Sequence, residues 1–104
     1  MRRETVEQFD RLTRELTEER AAALLRISRT LESLITQLHE SRTRLVTEAE
    51  TDPTTRAREL AAYEDLRRQA LKYRWYLEVQ REALGLHHHH RLDEFYRIPA
   101  AIER

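Results

Sequence analysis

The sequence predicts an all-α protein: a long, coiled-coil-like antiparallel helical hairpin with a short C-terminal helix. Three observations carry this expectation. Ala, Glu, Lys, Leu and Arg make up 60 of the 104 residues, above the roughly one-half that marks coiled coils and long helices. Apolar residues recur at alternating steps of three and four, the period of a two-helix seam. Gly occurs once and Pro twice, far too few breakers for a sandwich or barrel with a turn every ~8–12 residues.

The first helix is expected over residues 3–50. Thr5-x-x-Gln8 fits a capping box at its start, and no Gly or Pro follows for the next 45 residues. Leu24, Ile27, Leu31, Leu34, Leu38 and Leu45 form an a/d seam, with Ser41 as its polar gap. Phe9, Leu12 and Leu16 form an earlier seam, but Leu16 and Leu24 are eight residues apart rather than seven. Such a slip marks a change of partner or of winding.

The turn is expected at residues 51–54, where Asp52 can cap the next helix and Pro53 fits its first turn. The second helix is expected over 53–85, with Tyr63, Leu66, Ala70, Tyr73, Leu77, Gln80 and Leu84 facing the first. Gly85 stands where a helix end needs a positive φ. Acid-before-base pairs four residues apart, such as Glu7–Arg11 and Glu40–Arg44, add a few tenths of a kcal/mol each (~0.3–0.5). A short turn makes the helices antiparallel neighbours, so residue i faces residue 105 − i. The tail, 86–104, is expected to hold a short helix at about 91–96. Its apolar residues are expected to cover Phe9, Leu12 and Leu16.

Composition also bounds function. The chain is read as one domain, 1–104. With 19 Lys+Arg against 19 Asp+Glu the formal charge is zero, so no global attraction to nucleic acid or anionic lipid exists. The longest apolar run, Ala21–Leu25, is far below the ~20 residues of a membrane span. The basic start, Arg2-Arg3, has no apolar stretch behind it, so no secretory signal and a cytoplasmic location are expected. One glycine cannot build a phosphate-cradling loop. Zero cysteines exclude a disulfide framework, a thiolate nucleophile and a cysteine zinc site. No Glu-x-x-His pair supplies a di-iron motif. A helical mutase of the chorismate type is similar in size and arginine content, but it needs lysine and other basic groups converging on a dicarboxylate. Lys72, the single lysine, lies on a helix flank. No enzyme activity and no obligatory cofactor are expected.

Four features could carry function. Leu71, Trp75 and Val79 step by four along a second apolar stripe, level with Leu25 on the first helix. Contiguous apolar patches mark contacts, so Leu25, Leu71, Trp75 and Val79 are expected to form a self-association interface, giving a four-helix-bundle dimer or larger oligomer. The tail, through Leu92, Phe95, Tyr96 and Ile98, is the candidate contact for an unidentified protein partner. The main functional expectation is therefore an adaptor, scaffold or small regulatory subunit.

The alternatives use charged residues. Arg67, Arg74 and Arg81, spaced by seven and joined by Lys72 and nearby aromatics, could track phosphates and stack bases. Against this, residues 53–104 hold 10 basic and 8 acidic side chains, and such positions normally pair across helices with groups like Glu32 and Glu40. Nucleic acid is therefore the lesser expectation. The run His87–His90 could hold a divalent transition metal through His87, His89 and His90 with Asp93 and Glu94. Consecutive helical residues point about 100° apart, so four adjacent imidazoles cannot all reach one ion.

Overall fold

The computed structural model describes residues 2–47 and 52–102; of these, the side chains of Arg2 and His90 lie outside the description. It contains three helices, α1 (Arg2–Thr47), α2 (Pro53–Ala83) and α3 (His90–Phe95). Residues 48–51, which complete the expected first helix and open the expected turn, lie outside the described residues, as do 103 and 104. α1 and α2 pack against each other as the expected hairpin. The described residues contain no strand.

α1 runs unbroken for 46 residues. At ~1.5 Å per residue this is on the order of 70 Å, which accounts for the 75 Å long axis of the molecule. Its threonines are accommodated by local bonding. Thr13, Thr17, Thr30, Thr36, Thr43 and Thr47 each donate their hydroxyl to the carbonyl four residues earlier, at 2.6–3.1 Å. That arrangement satisfies the hydroxyl without leaving the helix. Because α1 already includes Arg2–Glu4, Thr5 lies inside the helix and not at its cap, correcting the capping-box expectation.

α2 starts and stops as its sequence predicts. Asp52 Oδ2 accepts the Thr55 backbone N–H at 3.1 Å, and Pro53 occupies the first turn. At the other end Gly85 has φ +82°. The Gly85 N–H donates to Glu82 O and the Leu86 N–H to Arg81 O, both at 2.9 Å. This pair of bonds is a Schellman ending, which satisfies the last carbonyls and reverses the chain direction. Arg56 Nη1 reaches from α2 to the Leu45 carbonyl at 2.9 Å, supplying a donor in the last described turn of α1.

The core is the predicted seam. Leu31, Leu34, Leu38, Ser41 and Leu45 of α1 are buried, as are Tyr63, Ala70 and Leu77 of α2. Arg42 Nη1 contacts the Tyr63 hydroxyl at 3.3 Å, a pair whose numbers sum to the expected 105. Leu60 is buried as well, one step off the a/d pattern and therefore invisible to it.

The tail departs from expectation. It does not cover Phe9, Leu12 and Leu16, which are 68%, 54% and 44% exposed. Instead it folds back over the hairpin toward the turn end, burying Leu92 and Pro99 and packing Tyr96, Ile98 and Ile102 against the core. The cause is the reversal at Gly85 together with polar partners along α2 described below. Residues 3–22 of α1 are consequently exposed throughout, a single helix projecting beyond the end of α2. The accessible surface is 8241 Å², whereas a compact 12.6 kDa chain has roughly 6,200 Å².

Candidate functional site

The arginine row has an intramolecular use. Arg67 Nε donates to Pro99 O at 3.0 Å, Arg74 pairs with Asp93, and Arg81 Nη2 donates to His88 O at 2.9 Å. As the arginines descend α2 from 81 to 67, their partners ascend the tail from 88 to 99. The heptad spacing therefore places one guanidinium at each successive level of the returning tail. At the far end the Tyr63 hydroxyl donates to Ala100 O at 2.6 Å, and Arg42 of α1 donates to the same carbonyl at 3.0 Å. An irregular segment cannot satisfy its own carbonyls, so these side chains supply the donors that let it lie on an apolar surface.

This arrangement changes the reading of three sets of candidate residues. The expected cross-helix pairing of Arg67, Arg74 and Arg81 with acids of the first helix is replaced by the tail clasp. Lys72 sits over the Tyr76 ring at 5.7 Å from its centroid. Of the tail candidates, Leu92 is 5% exposed and Tyr96 and Ile98 are partly buried, so these three serve the fold; Phe95, 75% exposed, is the one that faces outward. Sequence reasoning missed Arg42, Tyr63 and Pro99 as the anchor of the tail. The available signal was three arginines in heptad register beside a seam, followed by a tail ending in Ile-Pro-Ala-Ala-Ile.

The histidine segment is dispersed. His89 Nε2 lies 3.1 Å from Glu82 Oε1, Asp93 is engaged by Arg74, and His87 is exposed. The His90 side chain lies outside the described residues. Glu94 is exposed. No group of three His, Cys, Asp or Glu side chains gathers into a metal-holding cluster among the described residues. Arg74 Nε, Arg81 Nε and His89 Nδ1 are buried without hydrogen-bond partners. An unmet donor costs about 1–3 kcal/mol, so the clasp is weaker at this end than at Pro99–Ala100.

The apolar stripe stands where the sequence places it. Trp75 is 60% exposed, and Leu25, Leu71 and Val79 are also exposed. The register linking Arg42 to Tyr63 sets Leu25 level with Val79 and Gln80. Trp75 leans on Tyr76 at 5.6 Å between centroids, and Tyr76 meets Tyr73 edge-on at 5.5 Å. The three rings thus form a contiguous row along α2. Among the described residues no helix is long and apolar enough to cross a membrane. Comparisons with protein-family models, curated proteins and solved structures return no match for this chain.

Proposed function

We propose that the protein is a non-enzymatic, cytoplasmic interaction module whose hairpin associates with another helical surface through Leu25, Leu71, Trp75 and Val79. The observation that carries this reading is the exposed, ring-supported Trp75, flanked one turn away on each side by exposed Leu71 and Val79. Trp is a typical anchor of interfaces, and large apolar side chains held in water mark contacts. Two hairpins joined through this stripe make a four-helix bundle, and an adaptor or small regulatory role follows from a rigid rod with such a face.

The nucleic-acid alternative loses support because its guanidiniums hold the tail. The tail contributes to partner binding mainly through Phe95.

Trp75 is the only tryptophan, so it reports on its own surface. Emission should shift to the blue as concentration rises, and a Leu71→Asp/Val79→Asp variant should abolish the shift. Emission that stays solvent-like at every concentration overturns the proposal.

A further inference from the structure

The tail is held unequally at its two ends. Residues 96–102 form a firm anchor. Pro99 is buried there, and Tyr96, Ile98 and Ile102 pack against the core. The Pro99 and Ala100 carbonyls accept bonds from Arg67, Arg42 and Tyr63. Residues 86–95 rest on less. Leu92 is the one buried side chain among those described in this stretch. α3 has six residues, and its cap, His89, makes no side-chain capping bond; a helix this short does not hold itself in water. The pairs that tie it down, Arg74–Asp93 and His89–Glu82, each use an acid more than half exposed, where water and salt compete. Arg74 Nε, Arg81 Nε and His89 Nδ1, buried without partners, all lie at this end.

We propose that residues 86–95 are a strap that opens from the hairpin as a unit while residues 96–102 stay docked. One hinge is Gly85, exposed and at φ +82°, with nothing within 4 Å of an added Cβ. The other is the irregular backbone at Tyr96–Arg97. Local openings are drawn from segments with few buried apolar contacts, and the strap has one such anchor in Leu92. Opening also gives water to the three unpartnered atoms. Each unmet group shifts the equilibrium toward the open form by roughly five- to 150-fold.

Opening has a chemical consequence. Arg81 lets go of the His88 carbonyl and Arg74 of Asp93, while Arg67 keeps its bond to Pro99. The open form therefore presents two guanidiniums, seven residues apart on one face of α2, beside the apolar seat vacated by Leu92. In the closed form both are committed to the tail. The strap thus gates Arg74 and Arg81 and leaves the third arginine of the row engaged. It uses none of Leu25, Leu71, Trp75 and Val79, so it stands whether or not that stripe self-associates.

The chain has no cysteine, so a single introduced thiol reports on its own site. Thiol labelling of the full chain is followed at Leu92→Cys in the strap and Pro99→Cys in the anchor, each relative to the same chain unfolded in urea. When reclosing is fast, labelling follows the open population. Position 92 should label roughly tenfold or more faster than position 99. Equal labelling means that the tail leaves as one piece and overturns the proposal. Adding Asp93→Asn should speed labelling at position 92 about two- to fivefold and leave position 99 unchanged; equal acceleration at both also overturns it. Hydrogen exchange on the unsubstituted chain tests opening with Leu92 intact. The Leu92 and Tyr96 amides, bonded to the His89 and Leu92 carbonyls, should exchange roughly tenfold or more faster than amides at the centre of α2. Exchange as slow as in α2 overturns the proposal.

Discussion

Replacing Tyr63 by phenylalanine removes a single oxygen from the place where α1, α2 and the tail meet. The ring is fully buried and its shape is kept, so packing is little changed. Two hydrogen bonds are lost: the 2.6 Å donation to Ala100 O and the long 3.3 Å bond from Arg42. A well-formed bond contributes about 1 kcal/mol net, and the long one a fraction of that. The Ala100 carbonyl keeps Arg42 as a donor at 3.0 Å, so no unpaired group adds its full cost. The expected loss is about 1–1.5 kcal/mol, and it falls on the docked tail. Undocking should become roughly 5–13 times more frequent, since ~1.4 kcal/mol is a factor of ten. Limited trypsin digestion after Arg97 reads this directly, because cleavage of a transiently open segment follows its open population when reclosing is fast. Unchanged cleavage at Arg97, with unchanged thermal unfolding, would refute the tail clasp as a stabilising device.

Other substitutions probe the remaining elements. Leu38→Ala, at a fully buried seam position, should cost about 2–5 kcal/mol in urea unfolding, whereas Val46→Ala, mostly exposed, should stay within about 0.5 kcal/mol. Asp52→Ala removes the acceptor for the Thr55 N–H and should cost about 1 kcal/mol in the same assay. Gly85→Ala meets nothing within 4 Å of the added Cβ, so its cost is the backbone strain of φ +82°, about 1–2 kcal/mol. It should appear as faster hydrogen exchange at Leu86 before it appears in global unfolding. Exchange of Asp93 for Lys breaks the pair with Arg74. Asp93 is largely exposed, so the effect should be about 0.5–1 kcal/mol and shrink in high salt.

The hairpin was legible because its determinants are local or periodic. Leu31, Leu34, Leu38 and Leu45 announce a seam by spacing alone, and Asp52-Pro53 and Gly85 announce ends by chemistry that acts within a few residues. The exposed Trp75 stripe was legible for the same reason, being surplus to a seam already filled. The path of the tail was not. Nothing periodic distinguishes a tail lying over Phe9 from one lying over Tyr63. The choice is made by Arg67, Arg42 and Tyr63 donating to Pro99 and Ala100 carbonyls, contacts between residues 32 to 58 positions apart. An arginine row beside a seam reads equally as a phosphate track, a set of cross-helix ion pairs or a clasp until the backbone it serves is seen. Leu60 escaped because it stands one step off the a/d spacing, although the 105 − i register sets it level with Leu45 in the core.

The solitary stretch of α1 separates two kinds of selection. Residues 3–19 are exposed, so a change among them is scarcely felt by the hairpin. The surface at that end can be rewritten without re-balancing the seam that keeps the rest folded. Removing or adding seven residues would turn the remaining stripe by only ~20°, shifting its reach by about 10 Å while keeping nearly the same orientation. The projecting helix is thus a gauge whose length and lettering can drift independently of the body that carries it.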